Sequence, residues 1–81
     1  MERIKVNQRE IELMQEIFGD DHDFYKIDDN YVSFERKNLD AIIDIIGDYF
    51  ILRGLGKKDE PTRLGMEIED LQDKFLLLVD R

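Results

Sequence analysis

The chain has 81 residues, a hydrophobic content of 42%, a charged fraction of 40% and a net charge of −8. A chain of this length supports one hydrophobic core, so a single compact domain over residues 1–81 is expected, and the absence of cysteine excludes a disulfide framework, a thiolate nucleophile and a cysteine-ligated zinc site. The longest apolar run, "FLLLV", is far too short to span a bilayer, and "MERIK" leads into no export-type apolar segment, so a cytoplasmic protein is expected, with no membrane contact.

In chain order, "RIKV" alternates Ile4 and Val6 with Arg3 and Lys5, the period of a half-buried strand. Asn7 followed by Glu10 is an asparagine version of the capping box. Ile11, Met14, Ile17 and Phe18 then recur on one helical face, and Gly19 is placed for a left-handed stop. In "DFYKIDDNYVSFER", a two-residue turn at Asp29 and Asn30 with positive φ sets Asp28 opposite Tyr31, Ile27 opposite Val32 and Tyr25 opposite Phe34. That register puts Tyr25, Ile27, Val32 and Phe34 on one face, as a hairpin over a core requires.

The next helix is expected from a cap at Asn38 to about Arg53. Leu39, Ile42, Ile43, Ile46 and Phe50 form its buried stripe, Ile45, Tyr49 and Leu52 widen it, and Gly54 and Gly56 end it. "GKKDEPT" reads as a loop with an exposed basic pair. Leu64, Ile68, Leu71, Phe75 and Leu78 then mark a last helix with Glu67, Glu69, Asp70 and Asp73 on its other side. Leu76, Leu77 and Val79 fall beyond its single stripe, which suggests a helix between two layers or a homodimer contact through this C-terminal helix. Strand, helix, hairpin, helix, helix is the order of a small α+β domain whose three-stranded antiparallel sheet is covered on one face by helices.

Little in the chain points to catalysis. "GDDHDF" gathers Asp20, Asp21 and Asp23 around His22, but without the alternate-acid spacing and central glycine of a calcium loop. A histidine beside carboxylates, lacking a nucleophile, forms no catalytic set. "RGLGKK" follows a helix and lacks the spacing and hydroxyl of a nucleotide-binding loop. No enzyme, cofactor or metal is expected.

Charge is distributed unevenly: residues 1–9 carry +2, residues 10–48 carry −9 and residues 49–81 carry −1. A field of that sign opposes direct nucleic-acid binding and accelerates encounter with a basic protein. Its sharpest feature lies in "NLDAIIDIIGDYF". Asp40, Asp44 and Asp48, spaced by four, stack along one helical face, where like charges repel by about 0.2–0.5 kcal/mol per pair. The macrodipole favours Asp40 near the helix start but gives no reason for Asp48, about two turns on.

"NLDAIID", residues 38–44, resembles the inhibitory helix of the barstar family, intracellular inhibitors of a secreted bacterial ribonuclease. The resemblance implies that Asn38 caps the helix and that Asp40 and Asp44 neutralise cations of a partner's active site. More broadly, the chain is similar to small acidic bacterial immunity proteins and antitoxins. The expected function is an acidic inhibitor that binds a basic, nuclease-like toxin through Asp40, Asp44 and Asp48, with Tyr49 as an anchor and Asn38 at the helix start. The alternatives are a small regulator acting through its apolar C-terminal helix and an inhibitor that mimics DNA.

Overall fold

The hairpin forms in the register that its turn length dictates. Strand β2 (Lys26–Asp28) pairs antiparallel with β3 (Tyr31–Phe34), Ile27 opposite Val32 and Asp28 opposite Tyr31. Among the non-glycine residues of the described chain only Asp29 has a positive φ, +53°, so the turn needs left-handed geometry at its first central residue and not at Asn30. The computed structural model describes residues 1–19, 23–56, 60 and 62–79.

Strand β1 (Glu2–Lys5) pairs antiparallel with β3, Ile4 opposite Val32, so the sheet order is β1-β3-β2 with β3 central. The cross-strand pairs divide the sheet by parity. Val32 and Phe34 are buried on the inner face with Ile4 and Ile27 packed beside them, while Arg3, Lys5, Lys26 and Asp28 are exposed on the other.

Three helices complete the α+β fold: α1 (Gln8–Phe18), α2 (Leu39–Arg53) and α3 (Arg63–Leu76). Helix α1 starts with the capping box: the Asn7 side chain accepts from the Glu10 amide at 2.8 Å and Glu10 accepts from the Asn7 amide at 2.9 Å. Gly19 ends it with positive φ, +58°, but its ψ of −126° lies outside the left-handed helical basin that was expected, in a region only glycine occupies freely. Helix α3 is capped by Thr62, whose hydroxyl accepts from the Gly65 amide at 3.1 Å.

One core joins all these elements. Leu13, Met14, Val32, Ile42, Ile46, Ile68, Leu71 and Phe75 have no more than traces of exposure, and Phe34 meets Phe75 at a ring-centroid distance of 5.4 Å. The periodic positions expected on α3 are those buried, with Leu64 partly so. Leu76, Leu77 and Val79 are exposed: α3 lies against α2 and the core on one side only, and nothing among the described residues forms a second layer over it.

Helices α2 and α3 approach most closely through glycine. A Cβ on Gly65 would collide with the Gly54 carbonyl oxygen, which instead accepts from the Thr62 amide at 2.9 Å and the Thr62 hydroxyl at 3.1 Å. Further along the seam, Gly47 leaves room for Gln72, whose amide donates to the Ile43 carbonyl at 3.1 Å. Two bare helix positions thus let α3 lie close enough to hold the backbone of α2 by hydrogen bonds.

Two expectations at α2 are corrected. Asn38 makes no side-chain cap hydrogen bond: a 3-10 turn over Arg36–Asn38 runs directly into the helix, and Asn38 is already in helical geometry, where a capping side chain has no free amide ahead of it to reach. Leu52 does not widen the buried stripe but is 79% exposed. So many residues of α2 are apolar that its sequence leaves the direction of the core ambiguous.

Candidate functional site

With Leu39, Ile42 and Ile46 buried, the opposite side of α2 must face solvent. At about 100° per residue, Asp40, Asp44, Asp48, Ile51 and Leu52 fall within an arc of about 120°, and the three carboxylates rise about 6 Å per step. All five are exposed, Ile51 by 65%. The face is therefore a row of anions ending, at the C-terminal turn, in two uncovered aliphatic side chains.

Acids elsewhere are of two kinds: Glu69, Asp70 and Asp73 on α3 are exposed and form no ion pair among the described residues, whereas others are held by the molecule's own cations. Glu10, only 6% exposed, receives Lys74 at 2.6 Å besides its capping contact. Glu67 is held by Arg9 at 2.8 Å, and Glu2 by Arg36 at 3.3 Å. Arg9 holds the Glu67 carboxyl below its ordinary pKa, chiefly by hydrogen bonding. Asp40, Asp44 and Asp48 form no ion pair and no side-chain hydrogen bond among the described residues. They are brought together as a row and left uncompensated.

Tyr49 and Asn38 lie off this row. Tyr49 is half-buried against the core, and its hydroxyl donates to Glu16 on α1 at 3.1 Å. Burial foremost, and then Glu16, pushes its pKa above the usual phenol value. It ties α1 to α2 and does not stand out as an anchor. Asn38 lines a small cleft of about 70 Å³ together with Met1, Phe24, Tyr25 and Ser33, beside the sheet. The apolar component of the face comes instead from Ile51 and Leu52. The signal that could have found them is their position three and four residues after Asp48, in line with the acids.

Of the "GDDHDF" cluster, Asp20, Asp21 and His22 lie outside the described residues, as do Lys57 and Lys58 of the basic loop. Among the described residues no group of three or more potential metal ligands is gathered, and no helix is long and apolar enough to cross a membrane. No family model, curated protein or solved structure matches the chain.

The chemistry available to this face is recognition. Carboxylates fixed on a rigid helix accept hydrogen bonds from lysine and arginine without first breaking contacts inside their own molecule, so little reorganisation opposes binding. Adjacent aliphatic side chains add area that excludes water around such pairs.

Proposed function

We propose that this protein is an acidic inhibitor of the immunity or antitoxin kind, which neutralises a basic, nuclease-like protein by laying the outer face of α2 into its cationic cleft. The supporting observation is the unpaired, exposed alignment of Asp40, Asp44 and Asp48 along one face of α2, running into the uncovered Ile51 and Leu52. A nuclease is positive where it holds phosphate, and a carboxylate row competes for that site. Opposite fields speed the encounter, and Ile51 and Leu52 slow escape by burying apolar area.

The test uses the intact protein immobilised on a resin and challenged with a bacterial lysate. Wild type retains a basic protein at low salt and releases it at high salt, and the nuclease activity of the released protein falls when soluble wild type is added back. Asp40→Ala/Asp44→Ala captures at least about tenfold less, the loss of two charge-assisted contacts. Equal capture by the double variant overturns the proposed face, and a captured protein without nuclease activity overturns the class of target.

A second reading has its own support. Leu76, Leu77 and Val79 are exposed together where α3 ends, the surface a regulator that dimerises through its last helix would present. A dimer that strengthens with salt and is lost in Leu76→Glu/Leu77→Glu would favour it.

A further inference from the structure

The outer face of the sheet reverses the charge of the molecule. Cross-strand pairing sets Arg3, Ser33 and Lys26 in one row and Lys5, Tyr31 and Asp28 in the next. Arg3, Lys5 and Lys26 are all exposed and form no ion pair among the described residues. The Arg3 guanidinium lies over the Tyr31 ring, 4.2 Å from its centroid. Three cations against one carboxylate thus occupy an open face of a chain whose net charge is −8.

We infer that this sheet face is a docking site for a second copy of the same chain, whose α2 carboxylate row it receives. The cations do not converge on a point, as a site for a single small anion would require. Arg3 and Lys5 are about 6.6–6.8 Å apart along their strand, and Arg3 and Lys26 about 9.6 Å apart across the sheet. The first spacing matches the rise of about 6 Å between carboxylates four apart on a helix. A long polyanion would have to lie within the negative field of the remaining surface, which disfavours nucleic acid. Within one molecule the contact cannot form, because the α2 row and the outer sheet face are both turned away from the shared core. Joining two different surfaces is head-to-tail, so it builds a ring or an open chain. The inference shares the acid row with the proposed function but requires no foreign partner, and assembled copies would hide that row from one.

Its signature is a maximum in salt. Net repulsion between copies acts over the size of the molecule, 39 × 25 × 20 Å, whereas the docking pairs act at contact. At about 0.01 M salt the Debye length is about 30 Å and repulsion dominates; at about 0.1 M it is about 10 Å and the contacts survive; at about 1 M it is about 3 Å and they weaken. Sedimentation velocity of the full chain at these three salt concentrations should give a weight-average mass about 1.5-fold higher at the middle one than at either extreme. Arg3→Glu/Lys5→Glu should lose this rise, as should Asp40→Lys/Asp44→Lys, and an equal mixture of the two variants should regain it. Circular dichroism melts establish that each variant is folded, and Arg3→Gln/Lys5→Gln serves if the reversal is not. A monomer at all three salts, a mass that only increases with salt, or variants that keep the wild-type rise would each overturn the inference. Binding of a labelled acidic peptide or oligonucleotide to the sheet face by a chain that stays monomeric would also overturn it. Sheet variants that lose self-association while still capturing a basic protein would separate this result from the fate of the proposed function.

Discussion

Helices α2 and α3 both carry exposed carboxylates without a partner among the described residues, those on α3 being Glu69, Asp70 and Asp73, yet only α3 is also tied to α1 by ion pairs. Glu67 on α3 takes Arg9 from α1, and Lys74 on α3 takes Glu10 from α1 and the Lys5 carbonyl from β1. Asp40, Asp44 and Asp48 on α2 take nothing from their own chain among the described residues. Charge on the α1–α3 seam positions the last helix on the first. Beyond the macrodipole's favour for Asp40 in the first turn, the aspartates of α2 make no contact that holds the fold, and their mutual repulsion and poor helix propensity oppose it. Residues that a fold does not need are the ones whose presence asks for another explanation.

The contrast can be broken most forcefully at the seam that fixes α2. Gly65→Ala forces a methyl group against the Gly54 carbonyl and should destabilise by about 2–3 kcal/mol, read from urea denaturation. Partner capture should fall with it, because the row is presented only while α2 is docked. Glu10→Ala removes a capping acceptor and the partner of Lys74 together and should cost about 1–2 kcal/mol by the same measurement. Asp44→Ala/Asp48→Ala should have the opposite sign, gaining about 1 kcal/mol from helix propensity and relieved repulsion. A loss of stability in that variant would mean that the row serves the fold after all.

The smallest effect is one of pH. Arg9 lowers the pKa of Glu67 in the folded protein, so the pair stabilises the fold above the ordinary carboxylate pKa, and that contribution disappears as pH falls through the depressed value. Both groups remain in contact with solvent, 45% and 32% exposed at their side chains, so screening keeps the effect small. Thermal melts from pH 7 down to pH 2 should show a slightly shallower acid limb for Glu67→Gln than for wild type.

The parts of this structure legible in the sequence are those set by local chemistry. The two-residue turn fixed the pairing of Ile27 with Val32, the Asn7–Glu10 spacing gave the capping box, and the period of Ile68, Leu71 and Phe75 gave the inner face of α3. The row itself was equally legible, since spacing by four decides which side chains align. What failed depended on neighbours distant in sequence. Nothing in "RIKV" says that it pairs with β3, so the meeting of Arg3 with Lys26 across Ser33 was invisible. Nothing near Asn38 announces that the Arg36–Asn38 turn enters α2 without a cap. Tyr49 joined the stripe as its position suggested and so gave up the anchor's place, while Leu52 left the stripe, because α2 is apolar on too many sides for its pattern to show where α1 and α3 lie.

The chain has three tyrosines and no tryptophan, and the fold sets each tyrosine in a different place. Tyr25 is in the core with its hydroxyl on the Met14 carbonyl, Tyr31 lies beneath Arg3 on the outer sheet, and Tyr49 leans on Glu16 between α1 and α2. Variants retaining one of them at a time would give the unlabelled protein three optical reporters: one for melting of the interior, one for arrivals at the strands, and one for any tilt of the acid-bearing rod.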